Sequence, residues 1–321
     1  MLDLKDKKIL LTGGHGFLGQ SIFEELLQHG ALEKNIFRPR SKEVDLRIQK
    51  DCEKAVKDID IVIHAAGTIG GIGFAREFPG TMFYDNAIMG MHLIEEARKV
   101  GVKKFVQIGS VCSYPKFPPH IPFREEDIWL GYPEETNAPY GLAKKSLMVQ
   151  LQAYKDQYDF NGINLLLVNL YGPKDNFDPE SSHVIPALIK KFIDAKEQNK
   201  KEVVVWGTGI ARREFLYVQD AARAIVLATI RYNDVDPVNI GNNTEVKIKD
   251  LIKIITKLVE YKGKIVWDTT KPDGQPRRKM DVTKAKKRFG FVSKMNFEKG
   301  LKKTIEWYKM NRPVTQNTKK I

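Results

Sequence analysis

Two short stretches of this sequence carry side chains able to hold or move a proton. GSVCSYPK, Gly109 to Lys116, places Ser110 and Cys112 where an apolar run, FVQI, passes into a loop. PYGLAKK places Tyr140 and Lys144 four residues apart at the expected start of a helix, so both project from one face. A nearby ammonium lowers the pKa of a phenol, which can then exchange a proton with an alcohol or ketone oxygen. On spacing alone such a pair is common on helix surfaces, and a strand-end cysteine such as Cys112 is as readily a small buried hydrophobe. Context gives the pair its meaning, and that context is a glycine turn upstream.

Gly13, Gly16 and Gly19 form GxxGxxG between an apolar run, KKILLT, and a segment, SIFEELLQHG, with apolar residues at helical spacing and Gly30 as its stop. Such a turn lets backbone approach a diphosphate at the amino end of a helix, where free N–H groups and the dipole favour negative charge. Phe17 and Leu18 inside the turn, and Ala65, Ala66 and Gly67 after the strand pattern IVIHAAG, fall where a dinucleotide would lie. His64 in that pattern reads as a packing residue near the cofactor. The end of the second strand selects the adenosine ribose, and NIFRPRSKEVDL offers Arg38 and Arg40 where an acidic residue would favour NAD. Guanidinium groups match a 2′-phosphate, so NADP(H) is expected over NAD(H).

These residues need a scaffold, and the chain supplies one by alternation. KKILLT, IVIHAAG, KKFVQIGS and INLLLVNLYGP read as buried strands separated by helical segments, the rhythm of a largely parallel sheet covered by helices. Beyond Asn176 the rhythm is less regular: IPALIKKFIDAKEQ, KEVVVWG, REFLYVQDAARAIVLAT, VNIGN, KDLIKIITKLVEY and KIVWD precede a Pro-rich basic turn, KPDGQPRRK, and a terminal helix around GLKKTIEWY. The expected architecture is α/β, a doubly wound parallel sheet over 1–172 with a return contribution near 214–242, and a smaller mixed α/β substrate-binding region over 173–321.

A chain of 321 residues, 42% hydrophobic and 29% charged, buries a substantial core. Its two cysteines, Cys52 and Cys112, are too few for a disulfide framework and lack CxxC spacing. HExxH, clustered Cys/His sets, EF-hand loops and GxSxG elbows are absent, so no metal and no hydrolase chemistry are indicated. The net charge of +13 is spread along helical surfaces, which suits an anionic small molecule as well as it suits RNA. No apolar window is long enough for a bilayer, and MLDLKDKK leads into a strand with no signal segment, so a cytoplasmic protein without membrane or nucleic-acid partners is expected.

The combination of GxxGxxG, strand-end Ser110 and Y-x-x-x-K resembles the extended short-chain dehydrogenase/reductase family, which works on nucleotide sugars and has a Rossmann-type fold. The resemblance implies that Tyr140 is the proton donor or acceptor, that Lys144 orients the nicotinamide ribose and tunes Tyr140, and that Ser110 holds the substrate oxygen. GSVCSYPK, LGYPEETNAPYGLAK, NLYGPKDNF, SSHVIPAL, VVWGTGIARREFLYVQD and KPDGQPRRKMDVTK are similar in order and spacing to the motifs of one branch of that family. That branch epimerises C3 and C5 of GDP-4-keto-6-deoxy-D-mannose and reduces C4 with NADPH, giving GDP-L-fucose.

By the same resemblance Cys112 would be the base that removes the C3 and C5 protons, and His183, beside the cofactor, the acid on the opposite ring face. Asn169, Lys191, Trp206 and Arg213 would contact substrate, with Lys271 and Arg277 of the Pro-rich turn as further candidates, and the enzyme would be a homodimer packed through helices of the large domain. The chain departs from the branch at Val111 and Ser113, in AAGTIGGI and in AKKSL. Rival readings keep the fold: a 4-keto reductase or single epimerase of a related GDP- or dTDP-sugar, GDP-heptose derivatives included, an NAD-retaining 4-epimerase, or a binding protein without catalysis.

Overall fold

The computed structural model describes residues 2–271 and 273–312. Its first half runs β1 (Ile9–Thr12), α1 (Phe17–Gln28), β2 (Ile36–Phe37), α2 (Gln49–Ala55), β3 (Ile61–His64), α3 (Ile72–Glu77), α4 (Pro79–Lys99), β4 (Lys104–Ser110), α5 (Ala138–Tyr158), β5 (Gly162–Leu167) and β6 (Asn169–Tyr171). The second half adds α6 (Val184–Glu197), β7 (Glu202–Trp206), β8 (Arg212–Tyr217), α7 (Val218–Arg231), β9 (Val238–Ile240), β10 (Glu245–Lys247), α8 (Ile248–Val259), β11 (Lys264–Asp268), β12 (Arg277–Arg278), α9 (Thr283–Phe289) and α10 (Phe297–Asn311).

Six strands form a parallel sheet in the order β2-β1-β3-β4-β5-β9. Both of its faces are covered, which is why its strands read as continuous apolar runs. Alternate residues divide between the two faces: Ile9, Leu11, Ile61, Ile63 and Val106 pack with Ile22 of α1 and Ala221 of α7. Leu10, Val62 and Phe105 pack with Leu93 of α4 and Leu147 of α5. Each such Ile, Leu, Val or Phe side chain contributes about 1.5–3 kcal/mol relative to exposure. Strand order reverses at β1, so the carboxyl ends of β1 and β3 flank the crevice where ligands bind in sheets of this kind.

The apolar stretch INLLLVNLY is interrupted at Val168. β5 stays in the large sheet, whereas β6 pairs in parallel with β8, which also pairs with β10 and β12. A separate parallel pair, β7 and β11, lies over α6 and α8, and Phe192, Ile189, Leu251, Ile255 and Tyr171 fill this second core. The chain returns to the large sheet through α7, packed on α1, and β9, paired with β5. Among the described residues no helix is long and apolar enough to cross a membrane.

Candidate active site

The turn after β1 is built on close approach. Gly13 has φ +67°, and a Cβ at Gly19 would fall 2.1 Å from the Gly13 carbonyl oxygen, so glycine is required where α1 starts against the turn. Gly16 caps α1 with no side-chain acceptor, and no acidic residue stands in the first turn, leaving its N–H groups for an anion. Thr12 ties this turn to the end of β3: its Oγ1 accepts from the Ala66 N–H at 3.2 Å and lies 2.8 Å from Nδ1 of His64. His64 is fully buried, and burial, reinforced by the Lys144 charge, holds its pKa well below the usual imidazole range, which fits a neutral packing residue.

At the end of β2, Arg38 stacks its guanidinium 3.3 Å from the Phe23 ring centroid, and its aliphatic stem lies against Gly14. Arg40 is exposed and lines the cleft, as do Phe17, Leu18, Ala65, Ala66 and Gly67. The uncapped helix end and these two arginines fit a dinucleotide carrying a 2′-phosphate.

The glycine turn opens into a cleft of about 780 Å³ whose lining includes Ser110, Cys112, Tyr140, Lys144, Asn169 and His183. Ser110 ends β4, and a 3₁₀ turn, Val111–Ser113, follows. The Cys112 N–H donates to Ser110 Oγ at 3.1 Å, which leaves the Ser110 hydroxyl proton free to point at a substrate oxygen. Helix α5 begins directly against this turn: Ser113 Oγ donates to the Gly141 carbonyl at 2.9 Å, and a Cβ at Gly141 would meet the Cys112 carbonyl oxygen. Tyr140 and Lys144 therefore face Ser110 across a tight helix–turn contact.

Lys144 is buried, and burial pushes its pKa down to about 8. Tyr140 departs from the sequence expectation. Burial, together with the neighbouring Cys112, raises its pKa above the usual phenol range, and the Lys144 ammonium stands 5.7 Å from the ring centroid. The phenol thus keeps its proton at neutral pH, as a donor must.

Cys112 is half-buried among polar groups that its own segment does not announce. Its thiol donates to Asn137 Oδ1 at 3.5 Å, Asn137 Nδ2 in turn donates to Glu134, and Arg278 places Nη1 3.8 Å from Sγ. The sequence reading singled out Arg277, but β12 turns that side chain outward, where it pairs with Glu245 at 2.7 Å, and turns Arg278 inward. The signal was strand alternation: buried Met280 shares the parity of Arg278.

His183 caps the start of α6 and remains exposed in the cleft, although the protein crowded around it lowers its imidazole pKa by desolvation. Asp175, also unforeseen, lines the same wall with its carboxyl pushed up to about 7 by burial. Asn169 donates to the Glu214 carbonyl at 3.1 Å.

The remaining candidates lie outside the cleft lining. Lys191 is exposed on α6. Trp206, 63% exposed at the end of β7, has the Lys271 ammonium 5.6 Å from its ring centroid. Arg213 donates to the carbonyls of Arg212 at 2.8 Å and Asp273 at 3.3 Å, and its pKa is pushed down to about 10 by burial and by Arg278 nearby. Two guanidinium groups held together in this way form a setting for an anion. Glu214 fixes the arrangement: its carboxylate accepts from the N–H groups of Asn242 at 2.6 Å, Asn243 at 2.7 Å and Met280 at 2.8 Å. Among the described residues no three His, Cys, Asp or Glu side chains gather as metal ligands.

Comparison with known proteins bears on this geometry. GDP-L-fucose synthase 1 of Arabidopsis thaliana is 39% identical over 309 residues, spanning 96% of this chain and 94% of its own length. The structure of a GDP-L-fucose synthetase from Naegleria fowleri bound to NADP matches with a TM-score of 0.86 at 28% identity, covering 96% of this chain and 94% of that one. A GDP-6-OMe-4-keto-L-xylo-heptose reductase from C. jejuni matches with a TM-score of 0.87 at 28% identity, covering 95% and 98%. Residues 9–241 match the NAD dependent epimerase/dehydratase family as a whole, and on that span this chain belongs to the family.

Proposed function

We propose that this protein is an NADP-dependent epimerase-reductase that converts GDP-4-keto-6-deoxy-D-mannose to GDP-L-fucose. The observation that carries the reading is the gathering of Ser110, Cys112, Tyr140, Lys144 and His183 along one cleft continuous with the glycine turn. The large sheet with its return through α7 and β9 holds the cofactor, and the smaller region holds the nucleotide sugar. NADPH, when bound, supplies the hydride for reduction at C4. The Gly13–Gly19 turn and the start of α1 hold its diphosphate, and Arg38 and Arg40 its 2′-phosphate.

In the epimerase half, Cys112 as thiolate takes the proton from C3, and later from C5, on one face of the ring. The electron pair of the broken C–H bond moves onto O4, where the Ser110 and Tyr140 hydroxyls donate hydrogen bonds to the enolate. His183 returns a proton to the carbon from the opposite face, inverting the centre. In the reductase half Tyr140 gives its proton to O4, with Lys144 beside it as the fixed positive charge. Arg213 and the basic turn bearing Lys271 face the diphosphate, and Trp206 offers a flat apolar surface for the base.

The test is NADPH-dependent turnover of GDP-4-keto-6-deoxy-D-mannose in heavy water. The reading predicts GDP-L-fucose carrying solvent deuterium at C3 and C5. Cys112→Ser should lose exchange more than reduction, and Tyr140→Phe the reverse. Likeness to the heptose reductase supports one other outcome, reduction at C4 without exchange, and that product would replace the epimerase half of the reading.

The homodimer is part of the proposal: α4 and α5 pack together and expose Tyr84, Met91 and Val149, apolar surface that a second copy would cover. Sedimentation at micromolar concentration checks it. A cytoplasmic setting fits the charge and the nucleotide-sugar substrate, and imaging of the tagged chain tests it.

A further inference from the structure

We propose that Arg278 is the counter-charge that poises Cys112 as a base, a positioning role that rests on the reading of Cys112 given above. Arg278 is 9% exposed, and among the described residues it forms no ion pair with a carboxylate. A buried guanidinium with no anion in contact is costly, and the ionisable acid that does touch it is the Cys112 thiol at 3.8 Å. A thiolate supplies the missing charge, and cysteines beside Arg or Lys are those that ionise most readily.

The contact is held at both ends by one segment. Arg278 Nε donates to Gln275 Oε1 at 2.7 Å, and Gln275 Nε2 donates to the Lys116 carbonyl at 2.7 Å and to that of Pro115 at 3.4 Å. Pro115 and Lys116 belong to the loop that carries Cys112, so Gln275 fixes the guanidinium to the segment bearing its target. Among the described residues no other side chain donates to the Cys112 sulfur. Arg213 of β8 adds positive charge near Cys112 but turns its N–H groups to backbone carbonyls, and Tyr140 of α5 keeps its proton. Glu134 lies behind Asn137, gives its oxygen to Asn137 and Thr136, and interacts with Arg278 only at longer range, without an ion-pair contact. When the thiol ionises, Arg278 is the donor already in place.

The test reads the thiol directly. In the full chain with NADP⁺ bound, the rate of Cys112 alkylation by iodoacetamide is followed against pH by peptide mass spectrometry, which separates it from buried Cys52. Arg278→Leu should slow alkylation at pH 7 about threefold, the loss of thiolate being partly offset by its greater nucleophilicity. Arg278→Lys should restore most of the rate. Gln275→Leu keeps the charge but frees it and should slow alkylation part of the way, which keeps the test open if Arg278→Leu does not fold.

An alkylation rate unchanged at every pH in every folded variant, with only KM for the GDP-sugar raised, would make Arg278 a substrate contact and overturn the inference. Retention of C3 and C5 exchange in Cys112→Ser would instead remove the base reading on which the inference rests. The two failures appear in different measurements.

Discussion

Gly141→Ala tests whether the separation of α5 from the strand-end turn sets the rate. A Cβ at Gly141 would stand 2.1 Å from the carbonyl oxygen of Cys112 and 2.7 Å from its carbonyl carbon, where contacts under 3.0 Å essentially never occur. Both neighbours are backbone, so relief requires the first turn of α5 and the 3₁₀ turn to part by about 1 Å in an interior packed as densely as a crystal. Helix α5 is pinned on its far side as well, since α4 presents Gly90 where a Cβ would meet Leu147 at 2.2 Å. Overpacking of this kind costs about 1–3 kcal/mol of stability. The catalytic cost is larger in proportion: parting Tyr140 from Ser110 and Cys112 by that distance lowers kcat on the order of 10²-fold. NADPH affinity, set at the Gly13–Gly19 turn, should stay within about twofold of the original, well under the tenfold that 1.4 kcal/mol would bring. The assays are NADPH oxidation with the 4-keto sugar, deuterium exchange, and cofactor binding by fluorescence. A folded Gly141→Ala that turns over at the original rate refutes the reasoning, because the contact would then not position the proton donors.

Three further outcomes follow from the same geometry. Lys144 has a folded pKa pushed down to about 8 from 10.5, so its charge is present below that pH and lost above it; kcat/KM for reduction should fall above pH 8, and a profile level to pH 10 would exclude a role for the ammonium. Gly19→Ala drives a methyl into the Gly13 carbonyl oxygen and should weaken NADPH binding roughly tenfold to a hundredfold, measured by titration of intrinsic fluorescence. Burial raises the Asp220 pKa, but Arg223 at 2.9 Å and the donors Met295 N–H, Ser293 hydroxyl and Lys294 N–H outweigh it and bring it below 3.8. That depressed value contributes stability above the unfolded pKa and loses it as pH falls through the folded one, so Asp220→Asn should cost about 1–3 kcal/mol in urea denaturation at pH 7 and flatten the fall in stability below pH 4.

The parts of the site legible in the sequence were those whose meaning is local. GxxGxxG and Y-x-x-x-K carry their geometry in their spacing, and the buried strands of a parallel sheet are recognisable because both faces are covered. The passage between sheets at Val168 was hidden for the same reason, since INLLLVNLY is apolar but for Asn164 and Asn169 and has no Gly or Pro to mark a break. The raised pKa of Tyr140 was hidden because spacing brings a lysine near but does not report burial. The environment of Cys112 was out of reach because its charged neighbour lies 166 residues away, on a two-residue strand. There the reading turned on parity: Arg277 and Arg278 point to opposite faces, and a basic turn read as composition cannot choose between them. Met280 could have chosen, since a buried methionine two residues on commits Arg278 to the interior. The buried carboxylate that receives the Met280 N–H, Glu214, lies next to Arg213 in the run ARREF, where the arginine and not the glutamate draws the eye. The register of β8 with β12 sets Arg213 beside Arg278 and Arg212 beside Arg277, where Arg212 and Arg277 both reach Glu245, and that pairing decides which arginines face the cysteine.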